Sequence, residues 1–156
     1  MSAQQSQLAT EIRGFFSKPH KAIAYFATVD AARGFAPEVR TMTLMEADWR
    51  FYVATGVRTR KVREIAAHTK VAALVPFQGG GFSGYLRICG TAEPLTAIAE
   101  IKRIAEHAAY DLTCHWKEGP RDPNLAFLRI VPERIEYLRP GEDNAQDVTA
   151  ELKTNK

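Results

Sequence analysis

Only two cysteines occur in the 156 residues, Cys89 and Cys114, and they lie far apart in sequence. That scarcity excludes a disulfide framework and a four-thiolate zinc site. No uninterrupted apolar run approaches the ~20 residues of a membrane-spanning helix, so no membrane partner is expected. The opening residues, MSAQQSQLATEIRGFF, show no basic region followed by an apolar stretch. A secretory signal is not recognised there, and the expected location is the cytoplasm. An excess of one charge is also missing: 21 Lys+Arg stand against 18 Asp+Glu, a formal +3. So small a surplus does not point to nucleic acid without a clustered patch. What is present is 46% hydrophobic and 25% charged residues, the make-up of a globular domain that can bury a core. The length suits one domain, expected over residues 1–140. Residues 141–156 are polar and weakly patterned and are expected to form a mobile C-terminal tail.

Leu8, Ile12, Phe15 and Phe16 recur at helical spacing and predict a short amphipathic helix, ended by Lys18, Pro19 and His20. Ile23–Val29 (IAYFATV) is nearly continuous in apolar residues and reads as a strand buried on both faces. Val39–Met45 (VRTMTLM) and Trp49–Ala54 (WRFYVA) follow after short turns, giving an antiparallel meander. From Thr59 the apolar spacing becomes helical, at Val62, Ile65 and Ala66. Val71–Phe77, a glycine-rich turn over Gln78–Gly84, and the strand from Tyr85 through Glu93 come next. Pro94 and Thr96 mark a helix start. Leu125–Val131 is a strand, Pro132 interrupts it, and Ile135–Leu138 resumes. Six or more short strands in hairpin order, with two or three helices, predict a mainly β domain. Closing the sheet into a small antiparallel barrel removes its edges.

The segment Thr55–Arg63, TGVRTRKVR, carries the most chemistry. Thr59 is placed to cap the following helix, which sets Arg60 and Lys61 in its first turn. Cations there oppose the partial positive charge of a helix N-terminus. A bound phosphate reverses the sign, since backbone N–H groups, a hydroxyl and two cations would converge on it. The alternative is a solvated basic run that happens to begin a helix, and both readings stand at this point. Arg40 sits in the neighbouring strand and could reach the same anion; its own alternative is an outward, solvated arginine.

RTMTLM followed by FYVATGVRTRKVREI resembles the flavin-binding signature of pyridoxamine-phosphate-oxidase-like split-barrel proteins. AYFATVDAARG is similar to their first hairpin, YLRICGTAEPL to a later strand, and FLRIVPERIEYLRPG to their last strand. The likeness runs in order from about residue 20 to 140. It implies a six-stranded antiparallel split β-barrel of Greek-key type, a homodimer, and FMN at the dimer interface. By that resemblance Arg40 and Lys61 match flavin-contacting basic positions, with Thr59 and Arg60 at the phosphate. Thr41, Met42 and Thr43 lie along the isoalloxazine edge, Ala54 and Thr55 match a pair ending the third strand, and Tyr85 stands where the oxidase carries a glutamine. No catalytic side chain is implied, because the flavin N5 carries the redox step.

The departures are specific. Met45 replaces a lysine, Leu138 replaces a tryptophan, and the segment after residue 140 lacks the oxidase's Arg-Leu-His substrate clamp. The expectation is a flavin-dependent oxidoreductase acting on a small molecule, and not pyridoxamine-phosphate oxidase. The alternatives are a non-catalytic flavin sensor or carrier, or a split barrel using F420 or haem. Gly79-x-Gly81-x-x-Gly84 formally matches a dinucleotide fingerprint, but a strand follows it, so it reads as a hairpin loop. Cys114 and His115 are adjacent on the chain and make a weak chelate; no metal site is expected.

Overall fold

The computed structural model describes residues 3–16, 18 and 20–153. The elements are α1 (Ala3–Arg13), β1 (Lys21–Asp30), β2 (Ala36–Ala47), β3 (Arg50–Gly56), α2 (Arg60–Ala67), β4 (Lys70–Gly79), β5 (Phe82–Pro94), α3 (Ile98–His107), β6 (Leu125–Leu138), β7 (Gln146–Asp147) and α4 (Thr149–Leu152). All strand pairings are antiparallel, in the order β3-β2-β1-β4-β5-β6-β7, and β3 pairs also with β6. The first six strands therefore return on themselves. Three consecutive strands followed by a fourth beside the first is the Greek-key order. The connection that makes it, from β3 to β4, is α2.

Period-two alternation places Ala22, Ala24, Phe26 and Thr28 of β1 inward, all at 4% exposure or less. Ala22, Ala24 and Phe26 join Leu44, Phe51, Val53, Val75, Phe77, Leu86 and Ile88 in the main core. A second core forms where Ile101, Ile104 and Ala105 of α3 cover Met45, Tyr52 and Phe127. The expectation that β1 is buried on both faces is corrected: Ile23 and Tyr25 are 59% and 50% exposed. Among the described residues no element covers Ile23 and Tyr25 on the outer face of β1, so apolar content there does not mean burial.

Two other differences have local causes. β6 is continuous through Pro132, because the β5–β6 register shifts between Cys89 and Gly90 and sets Pro132 opposite Gly90. A proline is tolerated at such a bulge because the ladder bond it cannot donate is already absent. The tail expected from Gly141 is corrected over residues 146–152. β7 pairs with Glu136 and Tyr137, and Val148 and Leu152 are 0% and 2% exposed in the main core. Two apolar residues among polar ones give no periodicity, so tertiary packing decides. Residues 154–156 and Pro19 lie outside the described residues.

Candidate functional site

β2 and β3 begin as a tight hairpin whose turn residues, Asp48 and Trp49, both have positive φ. They stay paired only over Met45–Tyr52, Glu46–Phe51 and Ala47–Arg50. β3 then leaves for β6, pairing Phe51 through Gly56 with it. β2 continues along β1 as far as Ala36. From Ala36 to Leu44 the other edge of β2 therefore has no strand partner among the described residues, and its outward N–H and C=O groups face the gap. This is the split in the barrel, and α2 closes one end of it.

Arg40 pairs with Phe26, so it lies on the inward face of β2 at the mouth of this gap. Its guanidinium donates to Thr28 Oγ1 at 2.7 Å and to Glu64 Oε2 of α2 at 3.1 Å. Thr28 also donates a short bond to the same Glu64 oxygen. Arg60 lies 2.9 Å from both Glu38 Oε2 and Glu64 Oε1. Glu64 is 4% exposed. Burial pushes its carboxyl up, but the bond from Thr28 and the charges of Arg40 and Arg60 outweigh that and hold it below the usual range.

Lys61 differs from its neighbours. Its Nζ donates to Thr55 Oγ1 at 3.0 Å and forms no ion pair among the described residues. Burial and the nearby Arg40 charge lower its pKa, with Glu64 opposing. Thr59 occupies the N-cap position of α2, yet its hydroxyl makes no cap bond and instead lies 3.4 Å from Thr55 Oγ1. The corner thus holds three cations, Arg40, Arg60 and Lys61, against two carboxylates, Glu38 and Glu64. The sequence reading that crowded cations need an external anion is corrected for Arg40 and Arg60, whose charges are met within the chain. It remains for Lys61.

The structure brings Arg40, Thr55, Thr59, Arg60 and Lys61 to one place. Ala54 precedes Thr55 but packs with the α3 core instead. Thr41 and Thr43 face outward, opposite Tyr25 and Ile23, while Met42 packs on the main core. All three lie on the stretch of β2 that pairs with β1 alone, where alternate residues turn their main-chain groups to the open edge. Tyr85 is not brought to the corner: it pairs with Pro76 and Leu138. β1 and β4 separate its strand from β2, about 14 Å at ordinary strand spacing. Sequence reasoning missed Glu38, Glu64 and Thr28. The Arg60–Glu64 spacing of four was a signal for the ion pair.

A Greek-key split barrel with a cation at the mouth of its gap defines a structural class, and comparison with known proteins names it. The pyridoxamine 5'-phosphate oxidase family matches residues 8–139. General stress protein 26 of Bacillus subtilis (strain 168) is 30% identical over 124 residues, 79% of this chain and 84% of that protein. The chain belongs to the pyridoxamine 5'-phosphate oxidase-like family, as a relative of the oxidase rather than the oxidase itself. Among solved structures, General Stress Protein 26 from Bacillus anthracis str. Sterne superposes with a TM-score of 0.64 at 20% identity, covering 94% of this chain and 99% of that one. A heme binding protein from Mycobacterium smegmatis gives 0.68 at 12% identity, covering 97% and 61%. An F420 reductase gives 0.56 at 20% identity, covering 79% and 94%. These likenesses show the fold. Among the described residues no helix is long and apolar enough to cross a membrane.

Proposed function

We propose that this protein binds FMN as a homodimer and acts as a flavin-dependent oxidoreductase on a small molecule. The observation that carries this reading is Lys61: half-buried beside Arg40, in no ion pair among the described residues, and flanked by the hydroxyls of Thr55 and Thr59. That donor set fits a phosphate. The open edge of β2 from Arg40 to Leu44 offers main-chain donors and acceptors suited to the rim of a planar ring system. When bound, the flavin supplies hydride or single-electron transfer. The chain's own residues bind and orient it: Lys61 and Thr59 at the phosphate, Arg40 fixed by Glu64, and β2 along the ring.

The homodimer is supported by the outer face of β1 and β2, where Ile23, Tyr25 and Val39 are exposed together. Apolar residues clustered on an open sheet face mark an interaction surface.

Freshly purified protein is expected to be yellow, with FMN as the released small molecule by mass spectrometry. Lys61→Ala is expected to weaken FMN at least tenfold, about 1.4 kcal/mol. Unchanged affinity in that variant removes the phosphate assignment. A haem or F420 spectrum would instead move the chain toward the solved neighbours bearing those names. Reduction by NADH or NADPH without turnover of any acceptor would favour a flavin sensor or carrier, a reading motivated by the missing substrate clamp.

A further inference from the structure

A second cleft opens on the far side of Thr59. It has a volume of about 560 Å³ and lies between the β3–α2 loop and the segment leading into β6. Its frame is internally bonded. Val57 N–H donates to the Asn124 carbonyl at 2.9 Å, which ties the two walls together. Trp116 N–H donates to Leu112 O at 2.9 Å, Gly119 N–H to Trp116 O at 2.8 Å, and Asn124 N–H to Asp122 Oδ1 at 2.9 Å. The His115 ring meets Trp116 edge-on at 5.5 Å. The indole is half-buried and borders the cleft. Two cations on the rim, Arg58 and Lys117, form no ion pair among the described residues. Glu118 and Asp122 add two carboxylates and Asn124 an amide.

We infer that this cleft binds a purine nucleoside 5'-phosphate unit. Three parts of that ligand answer three features of the wall. A purine can stack on the Trp116 indole, an interaction whose loss costs ~5–100-fold in affinity. The Asn124 amide donates to the Asp122 carboxylate, which leaves its oxygen to accept from the exocyclic amine of an adenine. The phosphate is drawn by Arg58 and Lys117, neither of which is ion-paired among the described residues, while the Glu118 and Asp122 carboxylates also line the cleft. Thr59 borders both this cleft and the Lys61 corner. The inference goes beyond the flavin reading and stands without it. The unit can come from a free nucleotide or from the adenosine half of a dinucleotide, such as NADH or FAD.

AMP titrated into the full-length protein by calorimetry is expected to bind in the micromolar to low millimolar range and to quench Trp116 fluorescence. Trp116→Leu is expected to weaken AMP about tenfold, with a lowered melting temperature because the indole also packs against the second core. Should that variant unfold, Lys117→Glu at the exposed rim gives the same loss without touching the core. Lys61→Ala is expected to lose FMN and keep AMP, which separates the two sites. NADH competing with AMP identifies an electron donor as the source, and FAD competing where NADH does not identifies a dinucleotide flavin. AMP binding with neither competing identifies a free nucleotide. Absence of AMP binding to the parent, or its abolition by Lys61→Ala, overturns the inference.

Discussion

Glu46→Gln is expected to destabilise the fold by about 3 kcal/mol, toward the lower end for breaking a buried ion pair because Arg13 keeps some access to water. Glu46 is 1% exposed. It accepts from Arg13 at 2.5 Å, from the Trp49 backbone N–H at 2.6 Å, and lies 3.0 Å from His20 Nδ1. Arg13 in turn stacks over the Trp49 ring at 4.6 Å. One carboxylate therefore joins α1, the approach to β1, and the hairpin turn whose Asp48 and Trp49 hold positive φ. Glutamine keeps the shape but presents an amide where donors already converge.

The same residue sets a pH dependence. Burial pushes its carboxyl up, while the bonds from Arg13, His20 and the Trp49 N–H outweigh burial and hold it below the usual range. A carboxyl with a depressed folded pKa contributes stability above its unfolded value and loses it as pH falls through the folded value. Glu64 is depressed in the same direction, so the two losses add at acid pH. Urea unfolding from pH 7 down to pH 3 should show stability falling across the acid range in the parent. The fall should be shallower in Glu46→Gln. A parallel pH profile in the variant would separate Glu46 from acid lability.

Gly90→Ala is expected to cost roughly 3 kcal/mol or more, at the upper end for forcing atoms into a packed site. A Cβ built there lies 2.0 Å from the Val131 carbonyl oxygen and 3.0 Å from Pro132 Cα. Both are backbone atoms, so no side chain can swing aside; β5 and β6 must separate at the bulge. Gly56 provides the contrast, since its nearest contact is the Thr59 methyl at 3.5 Å, and alanine there should be tolerated within about 1 kcal/mol. Chemical denaturation of the two variants in parallel tests the difference. Equal losses would mean that strand proximity at Gly90 does not limit the fold.

Much of the fold was legible because strands announce themselves by local pattern. The β1–β2–β3 meander, the β4–β5 hairpin and the helix after Thr59 were all read within a few residues of where they lie. Three features were not legible, each for a non-local reason. Pro132 looked like a break because its bulge partner is Gly90, more than forty positions away in sequence. Val148 and Leu152 looked like tail residues because only the assembled core gives them a place. Ile23 and Tyr25 looked buried because an apolar side chain does not say what covers it. The corner was half legible: a cation run beside a helix start was visible at Arg60 and Lys61. Its in-chain carboxylates were not, because only the folded topology sets Glu38 against Arg60 and Glu64 against Arg40.

The parting of β2 from β3 after three residue pairs has a further consequence for handling the protein. Nine residues of extended chain are left with one edge that no strand pairs among the described residues. Such an edge is a template on which another extended chain can dock. Stripping away whatever normally lies along β2 should therefore make concentrated solutions prone to clumping, and refilling the gap should restore clarity without any change in the core.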